Sequence, residues 1–165
     1  MTSKPGGSSS DQGRAPEWPP SFVDLYRAQY APMVRLAFLL TGSASQAEEI
    51  VQDAFVRIRP HLDRVTGPVG YLRTSVVNGC RNQRRRAGLE RRFAASETPE
   101  VTLDRVDELG DALGSLPYRQ RAAIVLRYYL GMSEAEIAAE LGCRPGTVKS
   151  LAHRGLAELR RVLER

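Results

Sequence analysis

Cysteine and histidine are almost missing from this chain of 165 residues: Cys80 and Cys143, His61 and His153 are all there is. None of the four stands in a CxxC, HxxxH or comparable ligand spacing, so neither a disulfide framework nor a metal site is expected. No apolar run approaches the roughly 18 residues that cross a bilayer, which excludes membrane insertion. The first 20 residues hold 11 Gly, Pro or Ser. They have no apolar h-region, which argues against a secretory signal and for a cytoplasmic protein. Strand signals are also lacking: apolar and polar residues never alternate for long, and the one Asn-Gly pair, at Asn78, sits inside a helical pattern. The acids collect in a linker and at cap positions, and the two histidines lie 92 positions apart. No acid–base constellation results, so no catalytic residue, cofactor or enzymatic activity is expected.

Arginine is what the sequence has in excess. Of 24 basic residues only Lys4 and Lys149 are lysine, a bias that suits bidentate contacts to phosphate and guanine and that GC-rich coding also produces. The net charge of +5 is unevenly spread: −2 over residues 1–56, +8 over 57–92, −5 over 93–116 and +4 over 117–165. Two basic blocks flanking an acidic joint favour a polyanionic partner.

The periodicity predicts an all-α protein of two small helical domains joined by a flexible linker. Residues 1–20 read as a disordered tail. A first helix follows Ser21 as N-cap, with Phe22, Leu25, Tyr26, Met33, Leu36, Ala37 and Leu40 at near-helical spacing, and ends at Thr41-Gly42. A second follows Ser45 with the stripe Ala47, Ile50, Val51, Ala54, Phe55, Ile58 and Leu62. Pro68 opens a third, which turns Val69, Leu72, Val76 and Cys80 inward and carries Arg73, Asn78, Arg81, Asn82, Arg84, Arg85 and Arg86 elsewhere. Gly79 weakens that helix by about 1 kcal/mol relative to Ala. No acid occurs between Arg64 and Ala87, so this helix offers a surface for DNA. These elements define one domain over residues 21–92, and an acidic linker spans 93–103.

The second domain, over residues 104–165, starts with a short helix through Val106, Leu109, Leu113 and Leu116. Pro117 opens another, with Ala122, Val125, Leu126 and Tyr129 inward. Ser133 and Glu136 then form a capping box ahead of Ile137, Ala138 and Leu141. Beyond Gly142 a last helix turns Val148, Ala152, Leu156 and Leu159 inward and leaves Thr147, Lys149, Ser150, His153 and Arg154 outward. Leu151 is expected outward or sideways. A capped short helix, a glycine turn and a basic helix have the size and order of a helix-turn-helix, whose second helix enters the major groove N-terminus first.

The stretches 116–128, 131–142 and 146–150 resemble region 4 of a bacterial RNA polymerase sigma factor. Residues 47–57 and 71–86 resemble region 2. With regions 2 and 4 alone, over residues 21 to 163, the chain is similar to the extracytoplasmic-function class, and to its short actinobacterial SigE-like branch. The resemblance implies a protein that binds core RNA polymerase, through the beta-prime clamp helices and the beta flap, and directs initiation at promoter DNA. It implies polymerase contacts at Glu49, Gln52 and Phe55. It also implies reading of the minus-ten element by Arg64, Tyr71, Asn78, Arg81, Asn82 and Arg85. The last helix would read the minus-thirty-five element through Thr147, Lys149, Ser150, His153 and Arg154, with Arg144 placed to meet phosphate. An anti-sigma factor is a candidate partner. Three positions depart from the pattern: Tyr71 stands where many members have Trp, Arg144 where many have a Ser cap, and Leu151 where Arg is common. A stand-alone helix-turn-helix regulator is the alternative reading, and it leaves the basic third helix unexplained. A small nuclease is a third, without a metal or acid–base constellation to support it.

Overall fold

In the computed structural model, residues 20–93 and 108–165 are described, and every regular element among them is helical. The expected tail and linker fall largely outside these residues. Helix α1 is Pro20–Thr41, α2 Ala44–Ile58 and α3 Pro68–Phe93. Helix α4 is Glu108–Ser115, α5 Tyr118–Ile124, α6 Glu134–Leu141 and α7 Pro145–Leu163. A widened turn, Val125–Tyr129, extends α5.

The first three helices pack on one another. Ser21 lies within α1, which already begins at Pro20, and the cap of α2 is Ser43, whose side chain accepts from the Gln46 N–H. The α2 stripe is buried as its period demands: Ala47, Val51 and Ile58 have no exposed surface and Ala54 and Phe55 2% each. Helix α3 contributes Leu72, Val76, Val77 and Cys80 to the same core. Gly79 has a packing reason that outweighs its helix penalty, since a Cβ there would lie 2.7 Å from Ile50 Cγ2. Phe55 is enclosed by aromatic rings of α1, edge-on to Phe22 at 6.0 Å and tilted against Tyr26 at 5.0 Å. It is a core residue, so the expectation that it meets the polymerase directly is corrected.

The remaining helices turn the chain through α4 and α5 into the α6–α7 pair. Leu113, Leu116, Ala122, Val125 and Leu126 are buried, but Leu109 is exposed, as is Tyr129. The widened turn rotates Tyr129 out of its expected inward position, and its hydroxyl donates to the Pro32 carbonyl of α1 at 3.3 Å. The buried cluster is continuous from α1–α3 into α4–α7.

Polar contacts also cross between the two halves. Arg121, 9% exposed, donates to the carbonyls of Leu40, Gly114 and Leu116 at 3.2, 2.8 and 3.2 Å. Leu40 lies in the last turn of α1, and Gly114 and Leu116 lie at the end of α4. The guanidinium thus sits where two helices present unpaired carbonyls and the negative ends of their dipoles. Burial, with the neighbouring Arg84 charge, lowers its pKa.

Candidate nucleic-acid interface

The α6–α7 pair is built from local signals that act in sequence. The Ser133 hydroxyl accepts from the Glu136 N–H at 3.2 Å, and the Glu136 carboxylate accepts from the Ser133 N–H at 2.7 Å. That reciprocal pair fixes the start of α6. The backbone hydrogen bond from Ser133 holds the Glu136 carboxyl below the usual carboxylate range. At the other end Gly142 adopts φ 62°, a left-handed conformation that glycine enters without strain. The Cys143 N–H reaches back to Ala138 O at 3.0 Å, which closes the helix with a Schellman turn. Arg144 is extended, and Pro145 opens α7 without needing the N–H it lacks.

No side chain caps α7; Arg144 supplies its carbonyl, which accepts from Thr147 and Val148, and its own side chain is exposed. Thr147, Lys149, Ser150, His153 and Arg154 are all exposed along the N-terminal half of the helix. The Ser150 hydroxyl donates to Gly146 O at 3.2 Å, and Arg154 Nε lies 3.4 Å from Ser150 O. No acid interrupts this face before Glu158.

The buried face of α7 differs from the expected one. It consists of Val148, Leu151, Ala152 and Gly155, whereas Leu156 is 38% exposed and Leu159 half-buried. Leu151 is therefore a core residue, 7% exposed, and is corrected from its outward assignment. The cause is Gly155. A Cβ there would stand 2.7 Å from Ile124 Cδ1 and 3.2 Å from Gln120 Cβ, so α7 lies against α5 at a point where it has no side chain.

A second basic surface lies on α3 and the loop before it. Arg64, Tyr71, Asn82 and Arg85 are exposed. Asn78 and Arg81 are half-buried and engaged with each other: Arg81 Nη2 donates to Asn78 Oδ1 at 3.1 Å, and Nη1 to the Glu140 carbonyl of α6 at 2.7 Å. Arg84, which the site assignment omitted, lies with its guanidinium carbon 4.7 Å from the centre of the Tyr118 ring. Sequence reasoning also missed Arg121. The signal was its place three residues after Tyr118 and four before Val125, on the buried stripe of α5.

Glu49 and Gln52 are exposed on α2. Glu49 edges a shallow groove between α2 and α3, whose lining includes Asp53, Arg57, Asn82 and Arg86. Among the described residues no helix is long and apolar enough to cross a membrane.

Two helical units with a basic face on α3 and a basic helix-turn-helix on α6–α7 define a two-part DNA-reading protein. Residues 25–90 match the family of sigma-70 region 2, and residues 107–159 the family of sigma-70 region 4. The chain is 34% identical over 155 residues to the ECF RNA polymerase sigma factor SigL of Mycobacterium tuberculosis, covering 85% of this chain and 87% of that protein. It is 33% identical over 153 residues to the RNA polymerase sigma-E factor of Streptomyces avermitilis, covering 87% and 85%. A similar solved structure is the sigma factor RpoE of Bartonella quintana in complex with the anti-sigma factor NepR. There the TM-score is 0.63 and the identity 25%, over 86% of this chain and 97% of that one. CnrH in complex with the cytosolic domain of CnrY gives a TM-score of 0.58 at 25% identity, over 87% of both chains. The chain belongs to the extracytoplasmic-function class of RNA polymerase sigma factors, and directs promoter-specific transcription initiation.

Proposed function

We propose that α7 reads the minus-thirty-five element and α3 the minus-ten element, while α2 meets core polymerase. The observation that carries this division is the pair of basic faces on two different helices, α3 as far as Ala87 and the N-terminal half of α7, each free of acids and each attached to its own hydrophobic stripe. On α7, Thr147, Lys149, Ser150, His153 and Arg154 face the groove, and Arg144 meets phosphate at its mouth. On α3 and its preceding loop, Arg64, Tyr71, Asn78, Arg81, Asn82 and Arg85 take the minus-ten strand; Tyr71 is the stacking surface that single-stranded DNA requires. Glu49 and Gln52 contact the beta-prime clamp helices, with Phe55 holding their helix in place from within, and the α4–α7 unit meets the beta flap. The chain contributes binding and no bond chemistry, acts in the cytoplasm, and is a partner for an anti-sigma factor, as the similar solved complexes suggest.

Reading both elements makes the DNA compete with a bond inside the protein, because Arg81 is held by the Glu140 carbonyl. Run-off transcription with purified core polymerase tests the proposal. The chain is expected to direct initiation from a defined start site, and Arg81→Ala to reduce open-complex formation at the same promoter. Failure to initiate at any genomic promoter tried refutes it. The stand-alone regulator reading leaves the match of residues 25–90 to sigma-70 region 2 without a role.

A further inference from the structure

Where α3 meets α5 and the end of α6, a cleft of about 570 Å³ opens, lined by Arg81, Arg84, Arg85, Tyr118, Arg119 and Leu141. Four of its six lining residues are arginine and none is acidic. Three arginines are held by neutral groups: Arg81 by Asn78 Oδ1 and Glu140 O, Arg119 by Leu141 O at 3.3 Å, and Arg84 by the Tyr118 ring. Neutral acceptors orient a guanidinium without cancelling its charge. Each guanidinium has five N–H donors, and most of those in the cleft have no acceptor among the described residues. The charges also act on one another, since Arg84 helps to lower the pKa of Arg121 behind it.

We infer that this cleft is a binding site for a compact polyphosphate anion, bridging Arg81, Arg84 and Arg85 of α3 to Arg119 of α5. Planar forks converging from two helices suit clustered phosphate oxygens, which accept bidentate hydrogen bonds. The volume lies within the range of small-ligand sites. The ligand is recognised by charge and not by a base, because the single ring in the cleft, Tyr118, is 8% exposed and faces Arg84. An anion bound here links the two halves of the chain and occupies Arg81 and Arg85, which places it in competition with the minus-ten strand. Clustered phosphate has two sources, a free polyphosphate and the backbone of a DNA strand, and the first is the better fit, since the four arginines line one cleft from two helices.

Calorimetric titration of the full chain with sodium tripolyphosphate at fixed ionic strength tests the site, with sulfate and a short single-stranded oligonucleotide as comparators. One tripolyphosphate per chain is expected, bound about tenfold or more tighter than sulfate. Exposed Arg119 changed to Gln should weaken it by about tenfold or more, the loss expected for a charge-assisted bond. Arg160→Gln, which removes the same charge from the far part of α7, should leave the affinity unchanged. Arg84→Gln provides a second variant, and thermal melts confirm that each variant folds. Equal weakening by Arg119→Gln and Arg160→Gln overturns the site, as does sulfate binding as tightly as tripolyphosphate. Tighter binding of the oligonucleotide, with the same sensitivity to Arg119→Gln, assigns the cleft to DNA and also overturns it. None of these readouts depends on transcription, so the site stands or falls separately from the promoter-reading proposal.

Discussion

Replacing Arg121 by Met isolates one of the polar contacts between the two halves of the chain. The guanidinium donates to three backbone carbonyls, two of them at 3.2 Å and one at 2.8 Å. Hydrogen bonds from a charged group contribute about 1.5–3 kcal/mol each, and a carbonyl left buried without a donor costs about 1–3 kcal/mol. Gly114 is exposed, so its carbonyl regains water when the arginine is removed; those of Leu40 and Leu116 stay covered. Methionine repays part of the loss, because it has no charge to desolvate and the Nε of Arg121 is already buried without a partner. The balance is a destabilisation of about 2–4 kcal/mol. Urea unfolding at neutral pH, with the free energy extrapolated to water, measures it. Lys should rescue little, since one ammonium cannot reach acceptors on two helix ends in the geometry of a planar fork. A Met variant as stable as the parent would show that the carbonyls find water, and that the Arg121 bonds add nothing to the stability of the fold.

Burial raises the Cys80 thiol to about 12 and the Tyr118 hydroxyl to about 12, from ordinary values of 9.0 and 10.0. The folded chain then holds protons that the unfolded one releases, so stability is full below pH 9 and falls progressively as pH rises towards 12. Denaturant unfolding across that range measures the decline, and Cys80→Ala with Tyr118→Phe should flatten it. Lys149→Ala is expected to weaken promoter complexes and to lower the slope of log affinity against log salt by about 0.9; an unchanged slope removes Lys149 from the phosphate contacts. Glu49→Arg should reduce retention on core polymerase by about tenfold or more through charge reversal, and leave duplex binding by α7 as it was.

What could be read from the chain in advance was whatever is encoded within a few residues. The α2 stripe, the opening of α3 at Pro68, the Ser133–Glu136 capping box and the stop at Gly142 are each set by neighbours three or four positions apart. The face of α7 was misjudged because its closest approach to α5 is made at Gly155, a residue that a search for apolar side chains passes over. Leu156 took its place in the expected stripe and Leu151 was turned outward as a result. Phe55 was given a partner outside the protein, though Phe22, Tyr26 and Tyr30 of α1 surround it. The bonds of Arg81 to Glu140, of Arg121 to its three carbonyls and of Tyr129 to Pro32 were not legible at all. Each ends on a backbone carbonyl, and every residue has one, so no side-chain type in the sequence marks the acceptor.

Gly155 has one more effect. Thr147 lies about 12 Å along the α7 axis from it, at about 1.5 Å per residue. The contact with Gln120 and Ile124 is therefore a pivot, and the exposed end of the helix is a lever arm. A methyl group added at the pivot forces Ile124 or the α5 backbone to yield, and the displacement is carried to the end proposed to enter the groove. If α7 reads DNA as proposed, promoter preference is open to change from this buried position, through the angle at which an unaltered set of side chains arrives.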